Sequence, residues 1–180
     1  MRMIILAAGQ GTRLRPHTDH VPKCMVPVRG RPLIAWLLDV ARSVGISDIT
    51  VVGGYLNEKL QDLPVEIVVN SKFAKTNMVY SLDCALQKLE GDVIISYADI
   101  LYEPRILRAI VLAPQMVAVT VDRGWLRSWQ ARFVDPLDDA ESLSLGADGL
   151  ISEIGGPVGS INDIEGQYIG LIKFSGKGLA

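Results

Sequence analysis

Apolar positions along the chain fall into short runs separated by helical repeats. Residues 3–8 are a continuous apolar run, the form taken by a strand buried on both faces. After a loop with several prolines, Leu33, Trp36, Leu37, Val40, Ala41 and Val44 recur at helical spacing, and Gly45 supplies a stop. Residues 49–52 predict a second strand ending in glycines, and residues 65–69 a third. Asn77 can cap a helix whose apolar face holds Met78, Leu82, Ala85, Leu86 and Leu89. "DVIISYAD" predicts a fourth strand, Pro104 opens a helix at "EPRILRAIVL", and "QMVAVTV" follows as another strand. Strands alternating with helices predict an α/β fold, a doubly wound, mostly parallel sheet with helices on both faces. Beyond Asp122 the pattern loosens into short segments rich in Gly, Asp and Pro, read as a smaller region of hairpins and loops where substrate-specific pieces belong.

Composition narrows the class. With 180 residues, 49% hydrophobic and 21% charged, the chain can bury one good-sized core and is short for two. A net charge of −2 without a basic cluster argues against nucleic acid as a partner. Cys24 and Cys84 match no metal or redox spacing, which predicts a reduced, intracellular protein. The run over residues 3–8 is too short for a signal peptide or a membrane span, so the expected location is cytoplasmic, away from membrane.

The loop after the first strand, "LAAGQGTRLRPHTDHVPK", carries the most chemistry. In open α/β sheets ligands bind at the carboxyl ends of the strands, where this loop lies. A dinucleotide motif would run from its glycines straight into a helix, but Pro16, Pro22 and Pro27 prevent that. An extended loop that wraps a ligand is left. Gly9 and Gly11 permit close backbone approach to phosphate oxygens, Arg13 offers a planar fork and Lys23 a movable point charge. The bland alternative is a glycine turn with solvated charges. The full combination of G-x-G-T-R-L with Pro-Lys downstream favours phosphate binding.

"LAAGQGTRLRPHTDHVPKCMVPVRGRPLI" resembles the signature of nucleotidyltransferases that join a nucleoside triphosphate to a small phosphorylated substrate. The resemblance implies a Rossmann-like, nucleotide-diphospho-sugar transferase fold in a single domain, its nucleotide half over about residues 1–121 and its acceptor half over about 122–180. It implies that Leu6, Ala7, Ala8, Gly9, Gly11 and Thr12 hold the nucleotide, that Arg13 meets the β/γ-phosphates and that Lys23 meets the α-phosphate. Sugar-phosphate members continue with an L-G-T-A segment. This chain instead reads "NSKFAKTNMVYSLDCAL", similar to cytidylyltransferases acting on phosphocholine and more so to those acting on phosphonates such as 2-aminoethylphosphonate. The implied co-substrate is CTP, with pyrophosphate released. Phosphoenolpyruvate mutase as a pathway or fusion partner follows from the phosphonate branch, and a homodimer is a further expectation. Asp99, ending the fourth strand, matches the family's metal-binding aspartate, and one carboxylate there suits Mg²⁺. The alternative for Asp99 is a capping residue at a strand end. The family's second metal ligand lies beyond the point where this chain stops, so the resemblance implies a C-terminally truncated relative. A sugar-1-phosphate nucleotidyltransferase and a catalytically silent nucleotide-binding relative are the competing functions.

Other positions carry two readings each. Asn77 and Ser81 can contact base or ribose, or cap and pack a helix; Gly54 and Tyr55 can border the cytosine, or form a plain turn. Trp125 and Trp129 can surround a cationic acceptor, at about 1–2 kcal/mol per good cation–π contact, or pack as one helical face. Asp122 can pair with a primary amine, Arg132 can clamp the phosphonate or lie on the surface, and Glu165, Gln167 and Tyr168 can line the acceptor pocket.

Overall fold

The computed structural model describes residues 1–176. In chain order the elements are β1 (Arg2–Ala7), β2 (Pro27–Val28), β3 (Arg31–Pro32), α1 (Leu33–Ser43), β4 (Asp48–Gly53), β5 (Glu66–Val69) and α2 (Met78–Asp83). There follow β6 (Val93–Tyr97), α3 (Pro104–Leu112), β7 (Val117–Asp122), α4 (Trp125–Gln130), β8 (Leu143–Leu145), β9 (Ile151–Ile154) and β10 (Gln167–Phe174). The main sheet has six strands in the order β5-β4-β1-β6-β10-β7. The first four of these run parallel, and β10 lies antiparallel to β6 with Leu171 opposite Ser96. The fold is therefore the expected α/β class with a mostly parallel sheet.

Two compact units make up the chain. One spans Met1–Val119 and the returning segment from Gly170; the other spans Thr120–Ile169. In the first unit, side-chain alternation sends successive residues of β1 to opposite faces. Met3 and Ile5 join Leu37, Leu38, Leu107 and Ile110 from α1 and α3, while Ile4 joins Val52, Ala85 and Ile95 on the other face with Leu82 of α2. Each fully buried Leu or Ile contributes about 1.5–3 kcal/mol, so this double burial fixes where the strand ends lie.

The helix after Asn77 is shorter than its apolar spacing predicts. It ends at Asp83, and residues 86–88 turn as a 3₁₀ segment. Ala85 and Leu89 still reach the core, but Met78 and Leu86 are turned outward and exposed. The tighter winding rotates Leu86 off the buried face.

Gly170 is a point of close approach within the first unit. Its φ is +84°, and a Cβ there would come within 2.5 Å of the Tyr97 ring. Gly170→Ala combines an unfavourable left-handed backbone with a ring clash, so it is expected to cost about 3 kcal/mol, read as a lowered urea midpoint. A midpoint within error of the parent would show that Tyr97 moves aside freely.

Candidate active site

Because β1, β4, β5 and β6 are parallel, the segments that follow them meet at one sheet edge. There the segments after β1, β5 and β6 line a cleft of about 440 Å³. The β1 ladder continues one step past β6, with the Ala98 amide donating to the Leu6 carbonyl at 3.1 Å. That bond delivers Asp99 beside the first loop.

The loop itself is tightly specified. Residues Thr12–Leu14 form a 3₁₀ turn closed by the Leu14 amide on the Gly11 carbonyl at 2.9 Å. Fully buried Thr18 donates its hydroxyl to the same carbonyl at 2.9 Å. Gly11 has φ +62°, and a Cβ there would lie 3.0 Å from Lys23 Cβ and 3.2 Å from Thr18 Cγ2, so both backbone and space demand glycine. By contrast, a Cβ on Gly9 would meet nothing within 4 Å. Lys23 opens a second 3₁₀ turn, Lys23–Met25, and its ammonium forms an ion pair with Asp99 Oδ2. Arg13, Lys23 and Asp99 all line the cleft together with Leu6, Ala7, Ala8, Gly9, Gly11 and Thr12.

The opposite wall hangs on a residue that sequence reasoning passed over. Asn70 is fully buried; its amide nitrogen donates to Thr76 Oγ1 and to Ser81 Oγ, both at 3.0 Å, and its side-chain oxygen accepts from the Lys72 amide at 2.9 Å. This knot holds the segment carrying Phe73, Thr76, Asn77, Met78 and Ser81, all on the cleft wall. An Asn just past a strand end, followed by Ser and Thr, was the available signal. Asn77 both caps α2 and faces the cleft: its side-chain oxygen accepts from the Val79 and Tyr80 amides at 3.1 and 3.2 Å. With that oxygen committed, its amide nitrogen is the group able to meet a ligand. Ser81 donates to the Asn77 carbonyl at 3.2 Å, which spends its hydroxyl hydrogen on the wall itself.

Gly54 and Tyr55 stand behind the cleft rather than on it. A Cβ on Gly54 would sit 2.7 Å from Phe73 Cβ and 2.8 Å from the Ala8 carbonyl. The Tyr55 amide donates to that carbonyl at 3.1 Å, its hydroxyl donates to the Asp19 carbonyl at 3.1 Å, and its ring meets Phe73 edge-on. These two residues support the loop and Phe73, which do line the cleft.

Cys24, next to Lys23, is buried. Burial pushes its thiol from the ordinary 9.0 up to about 12; its own backbone hydrogen bond opposes this, and the Asp99 charge adds to it. The folded thiol thus keeps its proton where the unfolded thiol, near 9.0, gives it up. Stability is therefore expected to fall as pH rises from about 9 towards about 12, the window between the two values. The fall in urea midpoint over this range should be shallower in Cys24→Ala; an identical decline in both proteins would contradict the assignment.

Within the second unit, Asp122 Oδ1 accepts from the Gly124 amide at 2.8 Å and so shapes the entry to α4. Trp125 is buried and meets Trp129 edge-to-face with ring centroids 5.8 Å apart. The two tryptophans therefore do pack together. The exposed Arg132 guanidinium lies 5.2 Å from the Trp129 ring and 5.1 Å from that of Phe133. Gln167 is buried and braces the backbone of Glu141, and Glu165 accepts from the Leu145 amide. Tyr168 is half-buried within β10.

Among the described residues no group of three or more His, Cys, Asp or Glu side chains could hold a metal ion. Asp99 nonetheless fits a divalent cation that draws its other ligands from phosphates: its carboxylate faces the cleft and already takes a cation, the Lys23 ammonium. No helix among the described residues is long and apolar enough to cross a membrane.

Residues 3–151 match the family model of the MobA-like NTP transferase domain. The chain belongs to this family. It is a nucleotidyltransferase. A CTP:phosphoglutamine cytidylyltransferase from Campylobacter jejuni is 43% identical over 186 residues, covering 97% of this chain and 73% of that protein. A 2-aminoethylphosphonate cytidylyltransferase from Lancefieldella rimae is 34% identical over 114 residues, covering 57% of this chain and 46% of that protein. Among solved structures, the CTP:phosphocholine cytidylyltransferase from Streptococcus pneumoniae superposes with a TM-score of 0.68 at 25% identity, over 98% of this chain and 71% of its own. The α/β fold with its mostly parallel six-stranded sheet thus matches that of a solved cytidylyltransferase.

Proposed function

We propose that the chain is a CTP-dependent cytidylyltransferase that moves CMP onto a small phosphate-bearing acceptor and releases pyrophosphate. The observation that carries this reading is the convergence of the glycine loop, Arg13, Lys23 and Asp99 on one cleft. An anionic oxygen of the acceptor attacks the α-phosphorus of CTP and forms the new P–O bond. The bond from that phosphorus to the bridging oxygen breaks, and pyrophosphate leaves with the electron pair. The acceptor oxygen carries no proton at neutral pH, so no general base is required. Lys23 offsets charge at the α-phosphate, Arg13 holds the leaving β/γ-phosphates in its planar fork, and the Gly9 and Gly11 backbone approaches the phosphates closely. Mg²⁺, when bound, would be held by Asp99 and would neutralise charge between the reacting phosphates. Asn77 meets the cytosine through its amide nitrogen, which can donate to the acceptor edge of that base.

Acceptor recognition is proposed for residues of the second unit: Arg132 for an anionic group and Asp122 for an amine, with Trp125, Trp129, Glu165, Gln167 and Tyr168 as the other candidates. The segment "NSKFAKTNMVYSLDCAL" favours 2-aminoethylphosphonate. The relative at 43% identity supports phosphoglutamine ahead of it, and phosphocholine is the third candidate tested. Initial rates with these three acceptors at fixed CTP decide the order: the reading expects a phosphorylated amino-acid amide to lead, and a larger kcat/KM for 2-aminoethylphosphonate would restore the phosphonate branch.

A further inference from the structure

Lys23 and Asp99 are each assigned a different partner in the reaction, yet in this structure they hold each other. The Lys23 ammonium is bonded to Asp99 Oδ2. The two side chains are 31% and 35% exposed, so the pair is open to the cleft and not sealed beneath it. Both backbones are held. The Met25 amide donates to the Pro22 carbonyl at 2.8 Å and the Val26 amide to the Lys23 carbonyl at 3.2 Å, while the Ala98 amide ties the approach to Asp99 to Leu6. The stem of Lys23 passes close to the Gly11 backbone, where an added Cβ would lie 3.0 Å from its Cβ and 3.3 Å from its Cγ. A change of partner therefore falls to the two side chains and not to the backbone.

We propose that Lys23 masks Asp99, so that a divalent cation gains the carboxylate only when a nucleoside triphosphate draws the ammonium away. This rests on the cytidylyltransferase reading for the identity of the triphosphate, but the masking itself does not. A doubly charged ion approaching a carboxylate already bonded to an ammonium meets a like charge at short range. The same ion also gives up its waters reluctantly for a single carboxylate. A triphosphate changes both conditions: it offers the ammonium a denser anion, and it supplies oxygens that complete the shell of the metal. Lys23 is thereby a positioning residue for metal entry as well as a phosphate ligand, and nucleotide and metal enter together instead of metal first.

The test uses Mn²⁺ alone as probe, read by the broadening of amide resonances around Asp99 in ¹H–¹⁵N NMR spectra. Lys23→Met is expected to reach half-maximal broadening at about tenfold lower Mn²⁺ than the parent chain, and Lys23→Gln to do the same. The gain should vanish in Lys23→Met/Asp99→Asn. Circular dichroism of each variant verifies the fold. CTP added to the parent chain should bring Mn²⁺ to Asp99 at concentrations that have no effect alone. Equal Mn²⁺ sensitivity of parent, Lys23→Met and Lys23→Gln without nucleotide would overturn the masking. A gain in both lysine variants with no effect of CTP on the parent would leave the masking standing and overturn the choice of CTP.

Discussion

Lys23→Ala is expected to lower kcat at saturating CTP by about two orders of magnitude or more while the protein stays folded. The loss follows from where the ammonium stands. It lies on the glycine loop, in the cleft that also holds Arg13 and Asp99. An oriented positive group in such a site is worth about 10²–10³ in rate when charge builds on a phosphoryl centre. The fold should survive because the side chain is partly exposed and its loss removes one ion pair of a kind worth about 1 kcal/mol or less. The remaining supports of the turn, including the buried neighbour Cys24 and the backbone bonds of residues 22–26, are untouched. A melting curve close to the parent's, together with the fall in kcat, is the expected pair of results. Near-normal kcat at saturating CTP would remove Lys23 from the chemistry.

Asp99→Asn is expected to have an effect of similar or greater size, about two to three orders of magnitude in Mg²⁺-dependent turnover. The substitution keeps the shape of the side chain and removes only its charge. Two consequences follow. Under the proposed role the divalent cation would lose Asp99, the one carboxylate among the described residues that line the cleft, and the Lys23 ammonium loses its partner there. Raising Mg²⁺ should not restore the rate, because the missing element is a ligand and not occupancy alone. A titration of rate against Mg²⁺ reads this directly. A curve that saturates at the parent's kcat would place the metal elsewhere.

Much of the frame was legible because it rests on local pattern. The apolar run at residues 3–8 and the strand that leads to Asp99 and ends at Tyr97 are two-sided core strands, and continuous apolar runs announce those. The glycine loop was legible because its residue types have few other uses in that order. What the sequence did not disclose is non-local. The Lys23–Asp99 pair joins residues far apart in the chain, and no periodicity couples them. The antiparallel direction of β10 beside β6 is likewise absent from its composition, as is the contact of Gly170 with Tyr97. The helix after Asn77 was over-extended because Leu86 continues the apolar spacing, whereas the winding tightens before it. Asn70 escaped notice because a polar residue after a strand reads as a loop; only the three bonds of its side chain disclose a buried brace. Asn77 carried two readings in sequence: its oxygen caps α2, and its place on the cleft wall supports the proposed contact with the nucleotide.

The central claim is that this cleft transfers a cytidylyl group, and pyrophosphate release measures it most directly. The purified chain is incubated with CTP, UTP, ATP or GTP, each with and without Mg²⁺, against phosphoglutamine, 2-aminoethylphosphonate and phosphocholine. The account predicts Mg²⁺-dependent pyrophosphate release with CTP and at least one of these acceptors, the CMP-linked product appearing in equal amount, and kcat/KM for the other nucleotides lower by about tenfold or more. Comparable kcat/KM with UTP or a purine nucleotide, or no pyrophosphate from CTP with any acceptor, would contradict it.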